Sequence, residues 1–256
     1  MSWSPERYLA FGDHRTRPAA DLVARVALPA PVRIADLGCG PGNSTALLVE
    51  RWPEAEVTGV DNSAEMLTRA RASRVPAAWT LADIAEWTPT APVDVLFSNA
   101  ALQWLPDHAR LLPRLLGEVR PGGALAVQMP RNFGSPAHVL LREVALAGPW
   151  AARLASSLLG ESVGASAWYY DLLAPLAARL DIWETEYLQA LEGDDPVLAW
   201  TRGTAMRPVQ AALAEDELRA FEADYRERLR AAYPKRLDGR TLFPFRRLFI
   251  VAWRSG

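Results

Sequence analysis

The 256-residue sequence contains one cysteine, Cys39, three histidines and a single lysine, Lys235. A lone thiol builds neither a disulfide framework nor a cysteine zinc cluster, which excludes a stapled secreted scaffold and a zinc ribbon. No uninterrupted apolar run reaches the ~18 residues of a membrane helix, and no charged segment followed by an apolar core opens the chain. A cytoplasmic protein with no membrane partner is therefore expected. Basic charge is not in excess either: 28 Lys+Arg face 30 Asp+Glu, with a net charge of −2 and a pI near 6.0. Nucleic-acid binding needs a basic field to displace counterions, so neither DNA nor RNA is expected as a partner. His108 has no Cys, His or Glu at ligand spacing, so no metal is expected and His108 is placed on a helix surface.

What is present is ordinary globular composition, half hydrophobic and 23% charged, in a chain long enough to bury a core. From 32 to 129 strand and helix patterns alternate, with strands near 32–36, 56–60, 77–81, 93–98 and 124–129 and helices near 43–52, 63–73 and 107–119. Such alternation predicts an α/β fold, a parallel sheet with helices on both faces. Arg120-Pro121-Gly122-Gly123 is expected to end the last of these helices. A sixth strand fits 180–188. Asp195-Pro196 reads as the cap of one helix running to Arg207-Pro208, and Glu215 to Tyr233 as another, with Glu222/Arg226 and Asp224/Arg228 as i,i+4 pairs. The terminal run 246–253 is apolar on both faces, as a buried strand is, and fits an antiparallel strand beside the five parallel ones.

The chemistry centres on Asp36-Leu37-Gly38-Cys39-Gly40-Pro41-Gly42-Asn43, where the first strand ends in an acid, a glycine loop and a helix start. Glycines admit positive φ and bring bare backbone close to a ligand, and the helix start offers unpaired N–H groups. A dinucleotide fingerprint would need glycine at Asn43, and a phosphate loop would need Gly-Lys-Ser/Thr; both are absent. Asp61 closes the second strand about 20 residues further on, where an acid accepts ribose hydroxyls. It can alternatively cap the next helix, a task open to Asn62 or Ser63. Asp83-Ile84 follows the third strand, placed to accept from an adenine amine and cover a ring face. After the fourth come Asn99-Ala100-Ala101-Leu102-Gln103-Trp104, with Gln103 and Trp104 able to line the pocket.

The D-x-G-x-G-x-G stretch resembles the first motif of the class I S-adenosylmethionine-dependent methyltransferases. That resemblance implies a Rossmann-like seven-stranded sheet with a helical cap and a cofactor held by Arg17, Asp36, Gly38, Gly40, Asn43, Asp61, Asn62, Met66, Asp83, Ile84, Asn99, Gln103 and Trp104. Enzymes of the class that methylate nucleobase or glutamine amines carry Asn-Pro-Pro-Tyr after the fourth strand; Asn99-Ala100-Ala101-Leu102 departs from this and disfavours amino methylation. Ala35 to Thr45, Leu102-Gln103-Trp104-Leu105-Pro106-Asp107-His108, Ala126-Val127-Gln128-Met129-Pro130 and Arg247-Leu248-Phe249-Ile250-Val251-Ala252 together resemble the trans-aconitate 2-methyltransferase family. The match implies one methyltransferase domain over 1–256, with a lid over 1–30 bearing Trp3, Tyr8 and Phe11, a cofactor half over 31–130, and a cap with the last strands over 131–256.

The resemblance implies esterification of one carboxylate of a small anionic tricarboxylate, leaving a monomethyl ester and S-adenosylhomocysteine. A carboxylate is ionised at neutral pH, so no general acid or base is assigned and positioning carries the rate. Arginine forks suit the other carboxylates, and Arg131, Arg207 and Arg246 with the hydroxyls of Tyr169 and Tyr170 are the expected substrate ligands. Another small acid, a malonyl carrier protein, or cofactor binding without turnover are the alternatives. Monomer and homodimer are equally compatible with the sequence.

Overall fold

A computed structural model describes residues 16–155 and 163–256. Trp3, Tyr8 and Phe11 of the expected lid lie outside the described residues. In chain order the elements are α1 (Arg17–Arg25), β1 (Arg33–Leu37), α2 (Asn43–Arg51), β2 (Glu56–Asp61), α3 (Ala64–Ala72), β3 (Ala78–Leu81), β4 (Val93–Asn99), α4 (His108–Gly117), β5 (Val119–Pro130), α5 (Pro136–Ala147), α6 (Ala151–Leu154), α7 (Ser166–Leu173), β6 (Ala177–Leu191), α8 (Pro196–Arg202), α9 (Arg207–Ala212), α10 (Glu215–Ala232) and β7 (Thr241–Arg254). They form a seven-stranded sheet of order β3-β2-β1-β4-β5-β7-β6. Strands β1 to β5 pair in parallel. Strand β7 runs antiparallel to β5, from Ala124 opposite Trp253 to Pro130 opposite Arg247.

The chain divides into two compact units: residues up to Pro130 with Val163–Thr185 and Arg247–Gly256, and Arg131–Ser162 with Glu186–Arg246. In the first, β4 is buried along nearly its whole length, as a central strand covered on both faces must be. Its one acid, Asp94, is 5% exposed and ties the strand starts together. Its Oδ2 accepts from the N–H groups of Val32 and Arg33 at 2.8 and 2.7 Å, and Arg120 pairs with the other oxygen. Burial alone would raise its pKa; the two backbone donors and the guanidinium outweigh burial and hold the carboxyl below its usual range.

The second unit has its own core, in which Leu141 and Val144 of α5 meet Phe221, Tyr225 and Leu229 of α10 and Phe243 of β7. The tyrosine hydroxyls serve the start of α5: Tyr225 Oη donates to the Ala137 carbonyl at 2.9 Å, and the Ala137 N–H donates to Tyr233 Oη at 3.0 Å. Burial pushes the Tyr225 phenol up, out of reach of ordinary titration.

Four local expectations are corrected. The helix after Asp195 breaks after Arg202 and restarts at Arg207, because Gly203 weakens it and Pro208 fits a first turn but not a helix interior. Asp195 makes no cap bond; its carboxylate receives Arg230 Nε at 2.7 Å and pairs with Arg226. Glu222 accordingly pairs with Arg202 rather than Arg226, while Asp224 and Arg228 do pair, at 2.7 Å. Helix α4 ends at Gly117 and β5 begins at Val119, so the Pro-Gly-Gly group lies within the strand, where the β4 register shifts. Among the described residues no helix is long and apolar enough to cross a membrane.

Candidate active site

Strand β1 delivers Asp36 into the first unit with no solvent exposure. The hydroxyls of Ser44 and Thr45, in the first turn of α2, donate to its Oδ2 at 2.7 and 2.6 Å. Its Oδ1 is buried with no partner among the described residues. Burial pushes the carboxyl up to about 6, against the lowering by the two hydroxyls and helped by the nearby Asp61 charge.

The loop that follows turns on Gly38 at φ +71° and Gly40 at φ +54°. The N–H groups of Gly38 and Cys39 donate to the Val60 carbonyl at 2.8 and 3.1 Å, anchoring the loop to β2. Asp61, ending β2, accepts from Gly40 N–H at 2.9 Å and from Ser63 N–H at 2.8 Å. Each of its oxygens retains acceptor capacity. Ser63 takes the cap of α3, accepting from Met66 N–H at 3.3 Å. Cys39 is 3% exposed, and burial with the neighbouring carboxylates keeps it a protonated filler.

The two glycines differ in what surrounds them. A Cβ on Gly38 would lie 2.2 Å from Ala101 Cβ and 3.4 Å from Ile84 Cδ1, so the loops after β1, β3 and β4 meet there. A Cβ on Gly40 would meet nothing within 4 Å. Beyond β4, Ala100 sits at φ +55°, a strained position for an L-residue, and its carbonyl accepts from Gln103 Nε2 at 2.7 Å. Asn99 Oδ1 and Gln103 Oε1 are buried without partners among the described residues. The result is an acceptor-rich end of the sheet: three partnerless buried oxygens fall at or just beyond the carboxyl ends of the adjacent strands β1 and β4, and Gly40 in the loop after β1 has open space beside its Cα. It fits a donor-bearing, cationic nucleoside such as S-adenosylmethionine better than a phosphate.

The other expected cofactor residues surround this core less closely. Ile84 is 8% exposed, Met66 half-buried and Trp104 65% exposed. Asp83 is exposed and accepts from Ala85 N–H at 2.8 Å. Asn43 and Asn62 are exposed, as is Arg17 at the start of α1.

His108 is the clearest correction. It is 5% exposed, with Nδ1 2.6 Å from Tyr169 Oη and Nε2 2.9 Å from the Leu102 carbonyl. The turn Leu102–Trp104 folds back over the start of α4, and a histidine with both nitrogens bonded is at home in a core. Tyr169 is fully buried and also receives the Gly164 N–H at 3.2 Å, whereas Tyr170 is 55% exposed.

In the second unit Arg131 and Arg246 line one cleft of about 610 Å³, and Arg207, exposed at the start of α9, does not. The same cleft is lined by Arg236, which carries no sequence signal among so many arginines. Gln128 and Arg247, which the sequence offers only as parts of family-like segments, form a buried polar pair. They are 0% and 4% exposed, and Arg247 Nη1 donates to Gln128 Oε1 at 3.2 Å. A polar residue inside the apolar run 124–129 was the available clue.

Comparison with known proteins agrees with this geometry. The family described as "Methyltransferase domain" matches residues 34–123, the span of β1 to β5 that carries the loop. A trans-aconitate 2-methyltransferase of Azoarcus sp. (strain BH72) is 56% identical over 253 residues, covering 99% of each chain. One of Streptomyces avermitilis is 51% identical over 263 residues, covering 99% of this chain and 97% of its own. The chain belongs to the trans-aconitate 2-methyltransferase family. Among solved structures, the YcgJ protein of Bacillus subtilis superposes with a TM-score of 0.58 at 14% identity, covering 93% of this chain and 99% of its own. Phosphoethanolamine N-methyltransferase 2 of Haemonchus contortus, solved with S-adenosyl-L-methionine, gives 0.55 at 14% identity over 97% of this chain and 56% of its own. At such identity the likeness is one of fold: this family builds on the seven-stranded class I methyltransferase sheet.

Proposed function

We propose that the chain transfers the methyl group of S-adenosylmethionine to one carboxylate of trans-aconitate, giving a monomethyl ester and S-adenosylhomocysteine. The observation that carries this is the full-length identity with trans-aconitate 2-methyltransferases. Bound S-adenosylmethionine supplies a methyl group on a sulfonium, open to attack by a carboxylate oxygen. The protein's part is to hold and orient.

Gly38 and Gly40 let the backbone come close, Asp36 offers its partnerless oxygen to a cation, and Asp61 offers its remaining acceptor capacity to ribose hydroxyls. Asp83 and Ile84 take the base, and Asn99, Gln103, Trp104, Asn43, Asn62, Met66 and Arg17 complete the cofactor's surroundings. Two acidic groups, Asp36 and Asp61, favour the cationic cofactor over its uncharged-sulfur product, which assists release. Arg131, Arg207 and Arg246 with Tyr170 are assigned to the acid; Tyr169, expected beside them, is fully buried with its hydroxyl held by His108 and Gly164, and is given a structural part instead. No side chain has to remove a proton, since the carboxylate is ionised well below neutral pH. We place the protein in the cytoplasm.

The test is a comparison of kcat/KM across trans-aconitate, cis-aconitate, citrate, isocitrate and a malonyl carrier protein. Preference for trans-aconitate is the expected result. Preference for another acid would keep the cofactor site and replace the substrate; turnover of none would replace the activity.

A further inference from the structure

One guanidinium holds the loop that carries Asp83 and Ile84. Arg114, in the last turn of α4, donates through Nη1 to the Trp87 carbonyl at 2.9 Å and through Nη2 to the Ile84 carbonyl at 2.7 Å. Arginine's rigid fork meets two oxygens at once, and bonds from a charged donor are stronger than neutral ones.

The clamped segment is a single turn. Ala82 N–H ties its start to the Asp61 carbonyl at 3.1 Å, and the Glu86 and Trp87 N–H groups donate back to the Asp83 carbonyl at 3.1 and 2.8 Å. Asp83 opens the turn, and its Oδ1 accepts from Ala85 N–H at 2.8 Å, as a capping aspartate does. One turn is unstable alone, because fixing several dihedrals gains only one or two bonds. Arg114 secures it by taking carbonyls that no continuing helix is there to receive. Ile84 links this turn to the glycine loop: its carbonyl is bonded to Arg114, and its Cδ1 lies 3.4 Å from where a Cβ on Gly38 would stand. Asp83 is exposed, and its Oδ2 makes no bond among the described residues.

We propose that Arg114 is a positioning residue for adenine recognition: by clamping the turn 83–87 it directs Asp83 Oδ2 to the exocyclic amine and holds Ile84 against the base. The inference rests on the assignment of Asp83 and Ile84 to the base. An exocyclic amine donates to a carboxylate, whereas the oxo group that replaces it in hypoxanthine only accepts. A fixed Asp83 therefore rejects hypoxanthine, and an Asp83 free to turn aside rejects it less.

The test is Arg114→Gln, with Arg114→Lys and Arg110→Gln beside it. Calorimetric titration with S-adenosylhomocysteine and with its deaminated analogue S-inosylhomocysteine reads the base without turnover. Wild type binds the adenine compound at least ~10-fold more tightly. Arg114→Gln weakens S-adenosylhomocysteine about 10-fold and S-inosylhomocysteine less than about 2-fold, so the selectivity collapses. Arg114→Lys keeps the charge and the stem but reaches one carbonyl at a time, and its selectivity falls between the two. Arg110→Gln, exposed on the same helix, keeps the wild-type selectivity. KM for trans-aconitate at saturating S-adenosylmethionine stays within about 2-fold in every variant. Wild-type selectivity in both Arg114 variants, or an equal loss on both nucleosides with lowered Tm, would overturn the part given to Arg114. A wild type without selectivity would remove Asp83 from the base, and the proposal with it.

Discussion

Alanine at Gly40 separates ligand space from folding more cleanly than any other change in the loop. The new methyl would meet no protein atom within 4 Å, so its folding cost is that of an L-residue at φ +54°. That cost is ~1–2 kcal/mol, which for a chain of this length lowers Tm by roughly 2–8 °C. Gly38 is the control. Its methyl would lie 2.2 Å from Ala101 Cβ at φ +71°, adding an overpacking cost of ~1–3 kcal/mol to a similar backbone cost. Gly38→Ala therefore unfolds several degrees earlier than Gly40→Ala. For the cofactor the order reverses in significance: Gly40→Ala stays folded yet loses at least ~10-fold in affinity for S-adenosylmethionine, a deficit of ~1.4 kcal/mol. Thermal denaturation and calorimetric titration of both variants supply the data. A Gly40→Ala protein with wild-type cofactor affinity would refute the placement of the ligand against this backbone.

Asp36→Asn tests the buried carboxyl. Its pKa is 3.8 unfolded and about 6 folded, so the native state binds more protons in that window and stability falls as pH rises through it, by ~3 kcal/mol in total. The asparagine variant lacks this slope: it gains on wild type in denaturant titrations at pH 7.5 and not at pH 4, and equal differences at both would count against a buried, ionisable Asp36. Tyr169→Phe leaves the His108 ring and the Gly164 N–H short of a partner, costing ~1–3 kcal/mol in the same titrations with cofactor affinity unchanged. Arg246→Ala raises KM for the acid about 10-fold with little change in cofactor binding, and Arg207→Ala is compared with it; an unchanged KM removes the residue concerned from the substrate site.

The sheet was legible because its strands are short apolar runs separated by helices of regular spacing, and the loop because Asp36, Gly38 and Gly40 need one another at fixed offsets. Asp61 was legible as an acid ending β2, though its hold on Gly40 N–H was not. What stayed hidden depends on partners far apart in the chain. Asp195 looked like a local cap and is instead drawn to Arg230 and Arg226, because a guanidinium fork binds a carboxylate more strongly than one backbone N–H does. His108 looked solvated until the Leu102 turn and Tyr169 closed over it. In the Tyr169-Tyr170 pair adjacent helix positions face different ways, and only the packed structure decides which ring is buried.

Transfer of an isotopically labelled methyl group from S-adenosylmethionine in the presence of trans-aconitate tests the proposed activity most directly. The predicted product is a labelled monomethyl ester, released as methanol by mild base and formed in equal amount with S-adenosylhomocysteine. Cofactor bound without ester, or label recovered in a base-stable product, would contradict methylation of a trans-aconitate carboxylate.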